Sequence, residues 1–504
     1  MHPLGYIGLG APTILVWFLR EVAMPHDSFR KISQSLTLLG GLAFALASCS
    51  STNAQTKQVI YRFKGDNRNT YDGFTPYSPL TIGPDGKLYG TTFAGGAGPD
   101  YCSDGSGNYP CGSVFQLTPP AEEGLPWEEA LIYSFGSEWP DALQPLNAGL
   151  IMDASGNIYG TTPFGGTFSD NCGGYWCGTV FQLVAPTGKG GSWARNLIYQ
   201  FEDAGDFNDG FQPLAGLVFD NKGNLYGTTS GGGIASGYQS GTVYRLSPSA
   251  PGSGPWTETV LYNFQGGNGN PDGSFPESNL LVDNKGNLFG TTLSGGTGNC
   301  GGQGSGCGTI FELSPPNVNG GAWTETTLYS FQGGSDGNGP NGIILGKDGN
   351  FYGTTQGKLD NVCIVSRESS NCGTVFKLSP PNTQGAPWTE TTLYRFGGLR
   401  GRYPLGDLVS DAEGRLYGTT AYGGNGSDRF YPGSGTIFML IPQGEGWLGK
   451  VIYRFREQGD GANPQAGLAI GKNGELFGTA SAGGGVCSAG QDYADCGTVF
   501  EITK

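Results

Sequence analysis

The side chains in this sequence that could do chemistry are carboxylates, carboxamides, thiols and aromatic rings, because imidazole is almost missing. Only His2 and His26 occur in 504 residues, and both fall in a segment read below as removed on export. Without histidine there is no Ser-His-Asp triad, no His-ligated zinc or haem and no imidazole base. A carboxylate pair of the kind that hydrolyses glycosides stays available. The best-placed candidates are Asp407 and Glu277, with Asn279, Asn147, Asn341 and Gln465 near them in register. Asp407, Asn279 and Pro79 stand where four sister segments carry glycine, at Gly149, Gly216, Gly342 and Gly467. Such departures suit a polar ligand site, although a water-filled channel tolerates polar residues as well.

Asp72, Asp209, Asp272, Asp336 and Asp460 recur in an Asp-Gly-x-x-Pro setting. A ring of them could gather Ca²⁺, a hard cation that takes oxygen ligands. Hydrogen bonds from their own turn are the favoured expectation, and no cofactor is predicted. Ten cysteines form five local pairs: Cys102/Cys111, Cys172/Cys177, Cys300/Cys307, Cys363/Cys372 and Cys487/Cys496. The pair is missing as a whole from two repeats, which marks a bond between its members. Zinc wants four ligands, and each repeat offers two sulfurs. Disulfides are therefore expected, each worth roughly 2–3 kcal/mol on the chain-entropy model. The loops they tie carry aromatics, foremost Trp176 and Tyr175, that could stack on a sugar or anchor a protein.

These residues are positioned by a repeat. Tyr-Gly-Thr-Thr or a near copy begins at Tyr89, Tyr159, Tyr226, Phe289, Tyr352, Tyr417 and Phe477, with intervals of 70, 67, 63, 63, 65 and 60 residues. A period of that length is one supersecondary unit multiplied. In the third copy, Leu217–Asp220, Asn224–Thr229, Gly241–Leu246 and Trp256–Phe264 are β-branched and aromatic runs separated by Gly, Pro, Asn and Asp. They read as a four-stranded antiparallel meander. Seven such sheets arranged radially make an all-β, seven-bladed β-propeller.

The glycine-led strand is expected innermost. The strands opened by Trp127, Trp193, Trp256, Trp323, Trp388 and Trp447 are expected outermost. Those six leave the last blade without an outer strand, and Val59–Phe63 matches Leu261–Phe264. The N-terminal strand should therefore close the ring by completing the last blade.

The recurring Gly-Asn-Leu-Tyr-Gly-Thr-Thr and Cys-Gly-Thr-Val-Phe segments resemble the GloVer-type tandem-repeat family of bacterial surface proteins, which occur with varied anchors. The resemblance covers residues 58–504 and implies an exported, anchored repeat protein, with little said of activity. Blade order is also similar to that of NHL-type propellers, as architecture only.

Ahead of the repeats, Arg30 and Lys31, the apolar run Leu36–Leu46 and Leu46-Ala47-Ser48-Cys49 read as an export signal. The tetrapeptide resembles the bacterial lipobox, which implies cleavage before Cys49 and lipidation of its thiol; Met24 is an alternative start. The expected organisation is signal and extension over 1–48, anchor linker over 49–57 and propeller over 58–504.

Removing residues 1–48 turns 27 basic and 42 acidic residues into 24 and 40. A net charge of −16 would repel nucleic acid. The resulting expectation is a lipid-anchored binding or scaffold module at the cell envelope, outer membrane or surface, with a glycan or protein as ligand. A carboxylate-based carbohydrate-active enzyme is the alternative, and a purely structural surface array a further one.

Overall fold

The computed structural model describes residues 56–503, apart from 68–69, 97–110, 123, 137–141, 147, 170–171, 173–174, 189, 203–208, 234–239, 250–254, 267–270, 301–305, 319, 358–371, 384, 425–432, 457–458 and 486–495. Seven four-stranded antiparallel sheets follow one another along the chain. Blade three shows the pattern: an inner strand Val218–Phe219, a second strand Leu225–Thr229, a third Thr242–Ser247 and an outer one Thr257–Asn263. Each Tyr-Gly-Thr-Thr segment forms the second strand of its blade. No α-helix occurs among the described residues, and Gly334–Asp336 and Gly398–Arg400 form 3₁₀ turns.

Every residue of the motif has a packing reason. The tyrosine hydroxyl donates to the aspartate of the preceding hairpin, as Tyr159 does to Asp153 at 3.0 Å. Its ring meets the tryptophan that opens the next blade's outer strand, with Tyr159 and Trp256 centroids 6.3 Å apart. Glycine is required because the third strand's aromatic ring lies over it; a Cβ on Gly160 would sit 2.6 Å from the Phe181 ring. The first threonine reaches the next blade, as Thr161 donates to the Ala215 carbonyl at 2.8 Å. The second pairs with a hydroxyl of the third strand, as Thr162 does with Thr179 at 2.8 Å.

The blades pack through seven apolar clusters, each drawn from two neighbouring sheets. A phenylalanine just beyond each outer strand meets edge-on the aromatic residue of the next blade's third strand, as Phe264 meets Phe311 at 5.1 Å. Edge-to-face pairs of this kind add to the area they bury.

The ring closes as the repeat count requires. Thr56–Arg62 pairs antiparallel with Thr498–Thr503, from Thr56 opposite Thr503 to Arg62 opposite Thr498. The first strand in the sequence is thus the outer strand of blade seven. It also fills the seam with blade one, where Ile60 and Phe63 pack among Leu80, Leu88, Phe115 and Val499. This closure covers the edge that Thr498–Thr503 would otherwise present.

Candidate functional site in the axial cavity

At the axis the inner strands come together tightly. A Cβ on Gly216 would lie 3.0 Å from the Gly149 carbonyl, and one on Gly467 would lie 3.0 Å from that of Asp407. This crowding explains glycine at four of the seven equivalent places. The other places use side chains to cross the axis. Asn279 Nδ2 donates to Asp407 Oδ2 at 2.8 Å, and Asn279 Oδ1 accepts from the Gly216 N–H at 2.7 Å. The Gly342 N–H also bonds to Asp407. A Cβ on Gly342 would come within 2.1 Å of that carboxylate. Blades three to six are thereby joined through two side chains.

Asp407, Asn279 and Glu277 line one cavity of about 120 Å³, together with Tyr77, Asn341 and Gln465. At ~30 Å³ per molecule that is room for about four waters. The cavity opens on the face that carries the loops between second and third strands. Burial raises the Asp407 carboxyl above its usual range, against the Asn279 and Gly342 bonds that lower it. Burial likewise raises Glu277, whose Oε1 accepts from Ser230 Oγ at 2.8 Å.

The polar groups divide into committed and uncommitted ones. Asn341 Nδ2 donates to Thr354 and to the Pro404 carbonyl, and its Oδ1 accepts from Gln356. Like Asn279, it is engaged through both its nitrogen and its oxygen, and its bond to Pro404 reaches the next blade. The second oxygen of Glu277, the Tyr77 hydroxyl and the Gln465 amide belong to residues of the lining and make no hydrogen bond among the described residues, although the Tyr77 phenol interacts with that of Tyr422. Tyr77 is the member the sequence reading misses, although it directly follows Pro76 as Glu277, Asn341 and Gln465 follow Pro276, Pro340 and Pro464; that shared position is the signal that finds it.

Asn147 lies outside the described residues. Trp176 and Tyr175 are elsewhere, on a short ribbon in which Tyr175–Trp176 pairs with Phe168–Ser169. The Trp176 ring meets Phe168 edge-on at 5.4 Å. The Cys172–Cys177 bridge closes this loop, and Cys300–Cys307 closes its counterpart in blade four. Cys111, Cys372 and Cys496 are disulfide-bonded as well, with Cys102, Cys363 and Cys487 outside the described residues.

The Asp-Gly-x-x-Pro aspartates hold no cation-binding cluster, and among the described residues no group of three or more His, Cys, Asp or Glu could hold a metal. The expectation that they serve their own turn needs correction. Each accepts instead from the end of the preceding blade's outer strand. Tyr61, Tyr199, Tyr262, Tyr329 and Tyr453 donate to Asp72, Asp209, Asp272, Asp336 and Asp460 at 2.6 to 3.0 Å. A backbone N–H three residues beyond the tyrosine joins each bond. They latch one blade to the linker entering the next.

Between latch and proline sits a residue with left-handed backbone in every repeat: Thr75, Gln144, Gln212, Phe275, Tyr403 and Asn463 at φ 52–62°, and Gly339 at 60°. Its N–H bonds to the preceding blade, as Gln212 does to the Cys177 carbonyl at 2.8 Å. Such strain persists because the surrounding bonds over-determine it.

Fold and site together define a closed tandem-repeat β-propeller with a polar axial cavity. The sequence matches the Gloeobacter/Verrucomicrobia repeat family over residues 40–303, 169–362 and 301–491, and the chain belongs to that family. No curated protein sequence matches it. Among solved structures it is similar to a Trichoderma reesei enzyme of carbohydrate-active family AA12, at 13% identity and a TM-score of 0.38, covering 90% of this chain and 96% of that one. It is also similar to Pseudomonas fluorescens PhoX in complex with vanadate, at 12% identity and a TM-score of 0.41, covering 90% and 95%. Likeness at that level assigns no activity to this chain.

Proposed function

We propose that this propeller is a ligand-binding module of the bacterial cell envelope, exported and held at the membrane through a lipid on Cys49. The observation that carries the binding role is the set of uncommitted polar groups, Glu277, Tyr77 and Gln465, around a cavity whose other polar side chains are spent on structure. A rigid ring, closed through its first strand, supports preorganised recognition at low ordering cost. The carboxyl and amide groups of the lining suit the hydroxyls of a small polyhydroxylated ligand, such as one sugar unit of a glycan.

A glycan array with the full-length protein tests this reading. Specific retention that Glu277→Gln or Tyr77→Phe weakens, and Trp176→Ala leaves unchanged, is the expected outcome. Release of cleaved sugar would favour the carboxylate-based enzyme instead, with Glu277 and Asp407 as its acid pair. Retention lost only in Trp176→Ala would move the site to the disulfide-tied loops. The anchor is tested separately: Cys49→Ser should shift the protein from the membrane fraction to the soluble one.

A further inference from the structure

The opposite face of the ring carries a second departure from the repeat. At the third position of the inner hairpin, five blades have Asp85, Ser155, Asp348, Glu413 and Asn473, whereas neighbouring blades three and four have Lys222 and Lys285. Between them stands Arg245, at a third-strand position that other blades fill with Gln116, Gln182, Glu312, Lys377, Met439 and Glu501. All three cations line one groove of about 900 Å³ between blades three and four.

The groove's charges can be accounted for individually. Asp220 and Asp283 also line it, but their carboxylates are turned into their own hairpins. Asp220 accepts from the Lys222 and Asn224 N–H groups and the Asn224 amide, and Asp283 accepts from Lys285, Asn287 and the Asn287 amide. The lysines give those turns only their backbone N–H. None of the three cationic side chains is ion-paired among the described residues. Arg245 interacts with the Tyr226 hydroxyl and through Nη2 makes a long contact of 3.5 Å to Thr259, while its Nε is buried without a partner. With the Asp220 and Asp283 carboxylates counted, the three cations leave the groove at a net charge of +1, the reverse in sign of the chain's −15.

The walls indicate which anion fits. Trp323, Pro315 and Pro316 supply flat apolar faces, and Asn221 and Asn284 place carboxamides beside the two lysines. Flat faces suit sugar rings and carboxamides suit hydroxyl groups, while the cations suit carboxylates set at intervals. We propose that this groove binds an acidic polysaccharide, with Lys222, Arg245 and Lys285 holding its carboxylates.

The test uses the full-length protein on affinity gels cast with polygalacturonate, with its fully methyl-esterified neutral form, or with polyglutamate. Polygalacturonate should retard the protein at moderate salt, and the two control polymers should not. Lys222→Glu with Lys285→Glu should weaken retention at least tenfold, and Arg245→Gln severalfold. The lysine variant should melt at the wild-type temperature, because its turns use only backbone from those residues. Glu277→Gln should leave retention unchanged, which separates this groove from the axial cavity. Absence of wild-type retardation, equal retardation by polyglutamate, or retention indifferent to the lysine variant would each overturn the proposal.

Discussion

Two kinds of seam hold this ring together, and they use opposite electrostatics around the same latch. At the closing seam, between blades six and seven, Lys57 on the first strand of the chain reaches Asp460, with Nζ 2.9 Å from Oδ1 and a further bond to the Asp460 carbonyl. The ammonium is buried and also faces the rings of Tyr453 and Phe455, each 5.0 Å away. At four other seams the residue in that register is an acid: Glu129, Glu258, Glu325 and Glu390 stand opposite the same third-strand leucine position.

The latch aspartate reports the difference. Asp72, beside Glu129, is raised by burial despite its Tyr61 and Lys64 bonds. Burial would raise Asp460 too, but the Lys57, Tyr453 and Arg456 bonds outweigh it and hold Asp460 low. Burial, with a neighbouring aspartate, lifts Glu129 to about 7 and Glu258 to about 8. Glu325 and Glu390 also rise to about 7 for those reasons. A covalent linker crosses the closing seam as it crosses the acid ones, from Gly446–Arg454 to Ala469–Ile470, so the difference lies in the outer strand itself. Blade seven has a sheet assembled from both ends of the chain, and there a specific ion pair sets the position of the closing strand.

The sharpest way to break this comparison is Lys57→Glu, which converts the closing seam into an acid seam. At pH 8.5 it should cost about 3–5 kcal/mol, as expected when one partner of a buried pair is replaced by a like charge. Near pH 5.5 the new glutamate can hold a proton, as its counterparts do, and much of that loss should be recovered. Urea midpoints at the two pH values measure it, and a loss independent of pH would show that the seams are not equivalent.

The pH profile of the wild type comes next in size. A carboxyl whose folded pKa is raised binds more protons folded than unfolded, so it favours the folded state at low pH. Stability from the four glutamates should therefore fall as pH rises from about 4.5 to about 8. After allowance for partial solvent screening, each contributes on the order of 1 kcal/mol. Asp460 runs the other way: its contribution is present above the ordinary aspartate range and lost as pH falls through its depressed value. Glu258→Gln should flatten the profile between pH 5 and 8, and a melting temperature constant across that range would contradict the acid-seam account.

Smaller effects sharpen the picture within single seams. Tyr244 replaces the phenylalanine of the other six third strands, and its buried hydroxyl has no partner while Glu258 and Asp209 lie near it. Tyr244→Phe should stabilise the protein by about 1–2 kcal/mol, measured by chemical denaturation, because it removes an unsatisfied buried polar group. In blade seven, Ala480 occupies the place of the second threonine and leaves Thr498 Oγ1 unpaired. Ala480→Thr should restore the hydroxyl pair seen in the other blades and add about 1 kcal/mol, shown as a small rise in melting temperature.

The seven-fold frame was legible because Tyr-Gly-Thr-Thr serves needs local to one blade and its neighbour: a ring over glycine, a hydroxyl to the hairpin and another to the third strand. The closing role of Val59–Phe63 was legible by subtraction, since an outer strand was missing from the count. The candidate site was legible only in part. Asp407, Asn279 and Glu277 were found as exceptions to glycine or its surroundings, and they do share a cavity. Their division of labour was not readable, because Asn279 meets Asp407 at a separation of 128 residues across the axis. The latches were misread for a related reason: each aspartate's partner lies on the preceding blade, outside its own turn.

By itself, then, the sequence determined the repeat, the strand order of the blade, the paired cysteines and the ring-closing strand. Those depend on periodicity and on contacts that every copy repeats. Tertiary structure alone decided which polar groups remain free. Hydrogen-bonding capacity is settled by neighbours, and at the axis and the seams the neighbours of each residue come from other blades. Asp407 is the clearest case, conspicuous in the sequence and already bonded in the fold, whereas of the residues that follow the linker prolines Asn341 is bonded and Gln465 makes no hydrogen bond among the described residues.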